Sequence, residues 1–300
     1  MHQSETTMHS MYRVGLLIAV SACSSGLAVA QEARRSAPAI NAKQKRVLIA
    51  AHRGGYANDK ADKAPENSIA NLKLAIRKGY DVYETDIQRT ADGVFVIMHD
   101  ATINRETNGT GTVSEMTFAS LRSLRKRFRD GTVSDQPIAS LREMLVAGKD
   151  KIMFKPDLKP GVIEHFDQLA SLIVELKMKD QVFLRTRTND AEKIMDCYAK
   201  GCPKVQVMFR TKNIAQVKSV LKRFHPSTIE VHVAKNEAIS PAQTAAIKYA
   251  IDQNVLVETH VYSDTNQWDD LIRLGVRMFR TASPDQVLRH LQEAGRRAPN

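Results

Sequence analysis

An α/β barrel of eight strand–helix units, with both layers wrapped around one core, is the fold this sequence predicts. Eight short apolar or β-branched runs alternate strictly with amphipathic segments between Val47 and Ala294. The chain has 300 residues, room enough for the ~250 that such a barrel takes. Acids, histidines and arginines collect at the ends of the runs, where barrels carry their chemistry. A doubly wound open sheet is the alternative, but no glycine-rich dinucleotide loop follows the first run.

The expected strands are Val47–Ala51, Val82–Ile87, Ile152–Leu158, Val182–Thr186, Val205–Phe209, Ile229–Val233, Val255–His260 and Val276–Thr281. The helical patterns between and after them are Ser68–Lys78, Leu141–Ala147, Val162–Met178, Ala191–Ala199, Ile214–Arg223, Pro241–Asp252, Gln267–Leu274 and Pro284–Ala294. Two features interrupt the repeat. Val94–Met98 follows Ala91-Asp92-Gly93, a hairpin signal, and so forms an extra antiparallel strand at the mouth. From about residue 100 to 137 runs a Thr-, Gly-, Arg- and Asp-rich insertion with one helical run, Phe118–Arg127, expected to form a lid-like wall on the C-terminal face. The barrel with its insertion occupies residues 46–298.

Ahead of it, residues 1–30 read as a signal peptide. VGLLIAVSA is apolar but too short to span a bilayer, and Ala28-Val29-Ala30 has the small-x-small form of a cleavage site. The expected location is therefore periplasmic or secreted. Val20-Ser21-Ala22-Cys23 also resembles a bacterial lipobox, which would instead anchor a lipoprotein at Cys23. Gln31 to Lys45 is a polar, flexible leader. The net charge of +11 favours anionic partners without choosing among phosphate compounds, membrane surfaces and nucleic acid. In an oxidising compartment Cys197 and Cys202 are expected to pair.

The stretch YETDIQRTADGVFVIMHD carries the chemistry. Glu84 and Asp86 alternate onto one face of their strand, and paired carboxylates need a proton or a hard cation between them. Asp157 and Lys159 repeat the spacing in FKPDLKP. His52-Arg53 ends the first strand and His99 the extra one, placing two histidines beside acids as acid–base candidates. Arg53 could form bidentate bonds to a phosphate. His232 and His260 also lie at strand ends and are weaker candidates. The basic run RSLRKRFR, Arg122 to Arg129, reads as a polyanion site or equally as a solvated helix face. No GxSxG elbow, Walker loop, HExxH or zinc spacing is present, and a single Trp268 offers little for stacking on bases.

In order and spacing, His52-Arg53-Gly54, Pro65-Glu66-Asn67-Ser68, Glu84-Thr85-Asp86, Thr90-Ala91-Asp92-Gly93, His99-Asp100 and the Arg105–Gly111 stretch resemble the glycerophosphodiester phosphodiesterases. The resemblance implies a TIM barrel that hydrolyses glycerophosphodiesters to glycerol 3-phosphate and an alcohol, with one magnesium or calcium ion. By position it implies Glu84, Asp86 and Asp157 as metal ligands and His52 and His99 as the acid–base pair. It also implies Arg53 and Lys159 as phosphate contacts and Glu66 as a supporting acid. The small-molecule partner would be a glycerophosphodiester or lysolipid, with peripheral membrane contact and no nucleic acid. The chain departs from the family pattern in having Asp157-Leu158-Lys159 for Glu-x-Lys, as the similar sphingomyelinase D-like phospholipases do. Glu258-Thr259 stands for Trp-Thr, Gly275-Val276-Arg277-Met278 for Gly-Val-Asp-Gly, and Thr281-Ala282 for Thr-Asp. Arg185, Arg210 and Arg280 are expected to make the mouth positive and to favour an anionic far half of the substrate. A lysophospholipase D-like or cyclic-phosphate-forming enzyme, and an inactive phosphodiester-binding barrel, are the other readings.

Overall fold

Alternation along each strand decides which side chains fill the barrel and which meet the helices. In a computed structural model, residues 45–57, 64–235 and 237–298 are described. The expected signal peptide, Cys23 and all but the last residue of the expected leader lie outside them. The strands are β1 (Leu48–Ala51), β2 (Val82–Arg89), β3 (Phe95–Ile97), β4 (Arg125–Arg127), β5 (Val133–Pro137) and β6 (Met153–Leu158), followed by β7 (Phe183–Arg187), β8 (Gln206–Thr211), β9 (Thr228–Val231), β10 (Leu256–His260) and β11 (Met278–Thr281). The helices are α1 (Ile69–Arg77), α2 (Phe118–Arg122), α3 (Leu141–Gly148), α4 (Phe166–Glu175), α5 (Ala191–Ala199), α6 (Ile214–Phe224), α7 (Pro241–Asp252), α8 (Thr265–Leu274) and α9 (Pro284–Glu293). Among the described residues no helix is long and apolar enough to cross a membrane.

Eight parallel strands close in the order β1-β2-β6-β7-β8-β9-β10-β11, with β11 back against β1. Inward residues of the lower layer, Leu48, Val82, Met153, Phe183, Met208, Leu256 and Met278 among them, form a buried apolar plug. Outward residues one step along, such as Ile49, Tyr83, Phe154, Leu184, Phe209, Val257 and Phe279, pack in the main core against the helices. Helix starts follow local chemistry. Ser68 caps α1, Ser140 and Glu143 form a reciprocal capping box on α3, and Ser240 and Gln243 do the same on α7 behind Pro241. Gly275 ends α8 at φ 101°, where a Cβ would stand 2.8 Å from Ile251 Cδ1.

β3 pairs antiparallel with the end of β2, Ile87 opposite Ile97, so the expected hairpin is present and extends β2 to Arg89. Its turn is held by Gly93 N–H donating to Thr90 O and by Asp92, which accepts from Thr90 Oγ1 and Phe118 N. The insertion has a small core of its own, Val96, Met98, Ile103, Val113, Leu121 and Ile138. Within it the expected helix Phe118–Arg127 stops at Arg122, and Arg125–Arg127 instead pairs with β5. The basic run is therefore no solvated helix face: Lys126 is fully buried and pairs with Glu106 at 3.3 Å. The expected disulfide is also absent. Cys197 and Cys202 are free thiols. The turn after α5 is closed by Cys202 N donating to Cys197 O, and the Cys202 thiol, pushed up to about 12 by burial, lies 3.7 Å from Pro203 O.

At the opposite end from the mouth, buried Asp81 joins distant parts of the chain. It accepts from Ile49 N, Arg46 and Arg297 at 2.9, 2.6 and 2.5 Å. Its removal strands the mostly buried Arg297 guanidinium. Asp81→Ala is expected to lower stability by about 3 kcal/mol in urea denaturation, with the midpoint falling and the slope unchanged.

Candidate active site

Above the apolar plug the inward positions become charged. Glu84 and Asp86 project from β2, Lys155 and Asp157 from β6, Arg185 from β7, Glu230 from β9, Glu258 from β10 and Arg280 from β11, all of them buried. Strand register sets Glu84 beside Lys155, and Asp86 beside Asp157.

At the top of β1 the chain turns sharply over His52–Gly54. Arg53 adopts φ 49°, which costs a non-glycine residue about 1 kcal/mol. Gly54 is required at φ 82°, since a Cβ there would fall 1.2 Å from Asn71 Oδ1. The turn is held by Arg53 N donating to Glu84 Oε2 at 2.8 Å. Asn67, at φ 55°, clasps it from above: its N–H donates to Arg53 O, and its amide bridges Asp86 and Thr85. Glu66 gathers three guanidinium groups, Arg53 at 3.4 Å, Arg105 at 2.7 Å and Arg129 at 2.6 Å. Burial alone would raise Glu66, but Arg53 and Arg105 hold it below the usual range. Arg53 is thus bound through Glu66 and through Asp86 at 3.4 Å, and supports the carboxylates rather than reaching out freely.

The three expected ligand carboxylates differ in how they are served. Asp157 has Arg185 at 2.6 Å and Lys159 at 3.2 Å. Burial pushes it up, but those two cations hold it below the usual range. Asp86 has Lys159 at 2.7 Å and Asn67 at 3.0 Å. Glu84 is raised to about 7 by burial and by the Asp86 charge. Its Oε1 is buried without a hydrogen-bond partner, and the nearest cation, Arg280, stands 3.6 Å away. A hard divalent cation would satisfy that oxygen, and Lys159, bridging Asp86 and Asp157, holds the positive charge meanwhile. These residues fit such an ion. A second trio, His99, Asp100 and Glu106, brings ligand atoms within 4.8 Å of one another, but Glu106 already accepts from His99 N, Asp100 N, Arg105 and Lys126.

Both histidines sit at the mouth. His52 Nε2 lies 3.9 Å from Glu84, its Nδ1 is buried without a partner, and its ring meets Tyr56 and His260 edge to face. Burial, then the Arg280 charge, holds it well below the usual histidine range, so it is neutral. His99 is partly exposed at the end of β3, with Nδ1 2.6 Å from Asp100. Burial raises Asp100, but hydrogen bonds from Arg105 and His99 hold it well below the carboxylate range. Arg105 connects Asp100 to Glu66, and Glu66 connects to Arg53 and hence to Asp86, so one chain of ion pairs runs from the partner of His99 to Arg53, the residue next to His52.

Sequence reasoning missed Arg105 and Arg129 as site residues, although Arg105 stood in a quoted motif. It also missed Lys155 and Glu230. Glu258, a departure from the family pattern, is paired with fully buried Lys155. The expected positive mouth is corrected in part. Arg185 and Arg280 are neutralised inside the barrel by Asp157 and Glu230, and only Arg210 among the three is half-exposed. His232 Nδ1 accepts from Arg210 at 2.8 Å, and His260 stacks on Tyr262.

The sequence matches the family described as glycerophosphoryl diester phosphodiesterase family over residues 52–296. It is 43% identical over 79 residues to glycerophosphodiester phosphodiesterase 1 of Bos taurus, covering 26% of this chain and 22% of the relative. To a glycerophosphodiester phosphodiesterase of Caldanaerobacter subterraneus it is 42% identical over 79 residues, 26% of this chain and 30% of the relative. The matched stretch therefore spans less than a third of either relative. A glycerophosphoryl diester phosphodiesterase from Parabacteroides distasonis shares the fold with TM-score 0.71 and 22% identity, over 85% of this chain and 90% of that one. An Oleispira antarctica phosphodiesterase, solved with the product sn-glycerol-3-phosphate, has TM-score 0.65 and 19% identity, over 84% and 99%.

Two outcomes test the charged interior. Glu84 binds a proton more readily folded than unfolded, so its contribution is full below pH ~4.5 and lost as pH rises through 7. With chelator present, wild type should lose about 2–3 kcal/mol more than Glu84→Gln between pH 4.5 and 7, read by urea denaturation at each pH. Lys155→Met should cost about 3–5 kcal/mol by leaving Glu258 unpaired, and adding Glu258→Leu should restore more than half of it.

Proposed function

The chain belongs to the glycerophosphoryl diester phosphodiesterase family, and from that membership and the site's geometry we propose that it hydrolyses glycerophosphodiesters to glycerol 3-phosphate and an alcohol. The observation that carries the reading is the pairing of neutral His52 with Glu84, whose buried oxygen lacks a partner. A base that must accept a proton at neutral pH has to be unprotonated beforehand, and burial beside Arg280 keeps His52 so.

Glu84, Asp86 and Asp157 would hold one magnesium or calcium ion, which when bound would neutralise phosphate charge and acidify the attacking hydroxyl. Lys159, which pairs with Asp86 and Asp157 at the edge of that set, would contact a phosphate oxygen. His52 takes the proton of the attacking hydroxyl, either water or the glycerol 2-hydroxyl, as the new P–O bond forms. The P–O bond to the alcohol breaks, and the leaving oxygen takes a proton from His99; where the 2-hydroxyl has attacked, the product is a cyclic phosphate, which water then opens as His99 takes the water's proton and His52 returns one to the 2-oxygen. Asp100 at Nδ1 orients the His99 ring and leaves Nε2 as the exchanging atom. Arg53, Glu66 and Arg105 hold the two halves of the site in register and touch no reacting atom in this scheme.

The test uses the full chain, glycerophosphodiesters of several head groups, and phosphorus NMR. Release of glycerol 3-phosphate should stop with chelator and return with magnesium or calcium. His52→Ala and His99→Ala should each lower kcat by about 10²–10⁴-fold with the protein still folded. A cyclic phosphate as the final product would replace hydrolysis by the transfer reaction alone. No turnover of any diester or lysolipid would leave a binding barrel.

A further inference from the structure

Between the C-terminal ends of β7 and β8 lies a cavity of about 300 Å³, lined by Arg187, Thr188, Asn189, Arg210, Lys212 and Gln216. Arg187 and Arg210 are register partners on the adjacent strands, and Lys212 follows one residue beyond β8. Every side chain in the lining is polar, three are cations, and none is an acid.

These cations differ from the arginines deeper in the barrel. Arg185 and Arg280 each have carboxylates at hydrogen-bond distance. Arg187 and Lys212 pair with no carboxylate among the described residues. The acid nearest them along the chain, Asp190, is taken up by Thr186 Oγ1 and by Arg187 N. Arg210 reaches Glu230 only at 3.5 Å, and Glu230 is shared with Arg185 and Arg280. Arg210 Nε is buried and makes no hydrogen bond, while its other nitrogen meets His232. Burial, and then the neighbouring Arg185 and Arg280 charges, lowers Arg210 from the usual guanidinium range. Three cations in a polar recess with so little counter-charge favour an anion.

The recess also has a fixed relation to the reacting centre. Arg185 on β7 is the register partner of Asp157 and donates to it at 2.6 Å. Arg187 is two residues further along the same strand, on the same face and nearer the mouth. A substrate phosphate at Lys159 therefore has the recess one strand away, within reach of a substituent on the ester.

We propose that this cavity is a subsite for an oxyanion, carboxylate or phosphate, carried by the alcohol half of the substrate. The chain then prefers diesters whose head group is itself negatively charged. This rests on the diesterase reading above and specifies its substrate class.

The test compares three diesters of glycerol 3-phosphate with the full chain: one esterified to glycerol, one to glycerate, one to glycerol phosphate. The first is uncharged in its head group, and the other two supply the carboxylate and the phosphate. At least one anionic diester should exceed the neutral one in kcat/KM by about tenfold, mostly through KM, as a charge-assisted contact gives. Which of the two gains identifies the anion. In Arg187→Gln/Lys212→Gln the ratio should fall to about one, and rising salt should erode it in wild type. A wild-type ratio near one, or a ratio retained in the double variant, overturns the subsite. Loss of all turnover would overturn the diesterase reading instead. Calorimetric Kd values of the same diesters for His52→Ala, with and without the double substitution, then decide the subsite separately: equal Kd values overturn it, and a tenfold preference that the double substitution removes upholds it.

Discussion

Charge buried inside a closed barrel is tolerated when each charge meets its opposite, because no water is available to solvate it. Lys155 meets Glu258, Arg185 meets Asp157 and Glu230, Arg280 meets Glu230, and Lys159 meets Asp86 and Asp157. The site is what remains when that matching is complete. Glu84 is the least well served of the set, with one oxygen given to a backbone N–H and the other without a hydrogen bond. Burial therefore holds its proton up to about pH 7, where the other acids of the set for which a direction is resolved, Asp157 and Glu230, are held down by arginines. Burial raises Glu84 and lowers His52, because loss of water disfavours the charged form of each; the Asp86 charge adds to the first shift and the Arg280 charge to the second.

The second constraint is positional. His52 follows β1 and His99 follows the added strand β3, and the ion pairs from Asp100 through Arg105 and Glu66 to Arg53 tie the insertion to the turn that carries His52. Glu106 fixes His99 and Asp100 by their backbone N–H groups, and Lys126 anchors Glu106 from β4. Glu66 then joins Arg105 and Arg129 of the insertion to Arg53 of the first loop. The insertion thus serves the chemistry as a brace. Of its basic residues, Arg105, Arg122, Lys126 and Arg129 hold acids, while Arg125 and Arg127 hold backbone carbonyls.

How much of this was legible depends on the range of the interaction. The strands and helices of the barrel are specified by local alternation and capping, and each expected element appears within a few residues of its place. The insertion was misread at Phe118–Arg127, because Arg, Lys and Leu favour helix locally while pairing with β5 and burial of Lys126 impose a strand.

The sequence by itself determined the barrel, the hairpin that carries His99, and the identity of the residues at the mouth, since strand alternation and short motifs encode all three. Only the tertiary structure decided which of those charges are spent on each other. Pairing across strands far apart in sequence, as between Lys155 and Glu258 or Arg280 and Glu230, depends on closure of the barrel. Closure also sets the desolvation that leaves Glu84 high and His52 low, and no local pattern contains it.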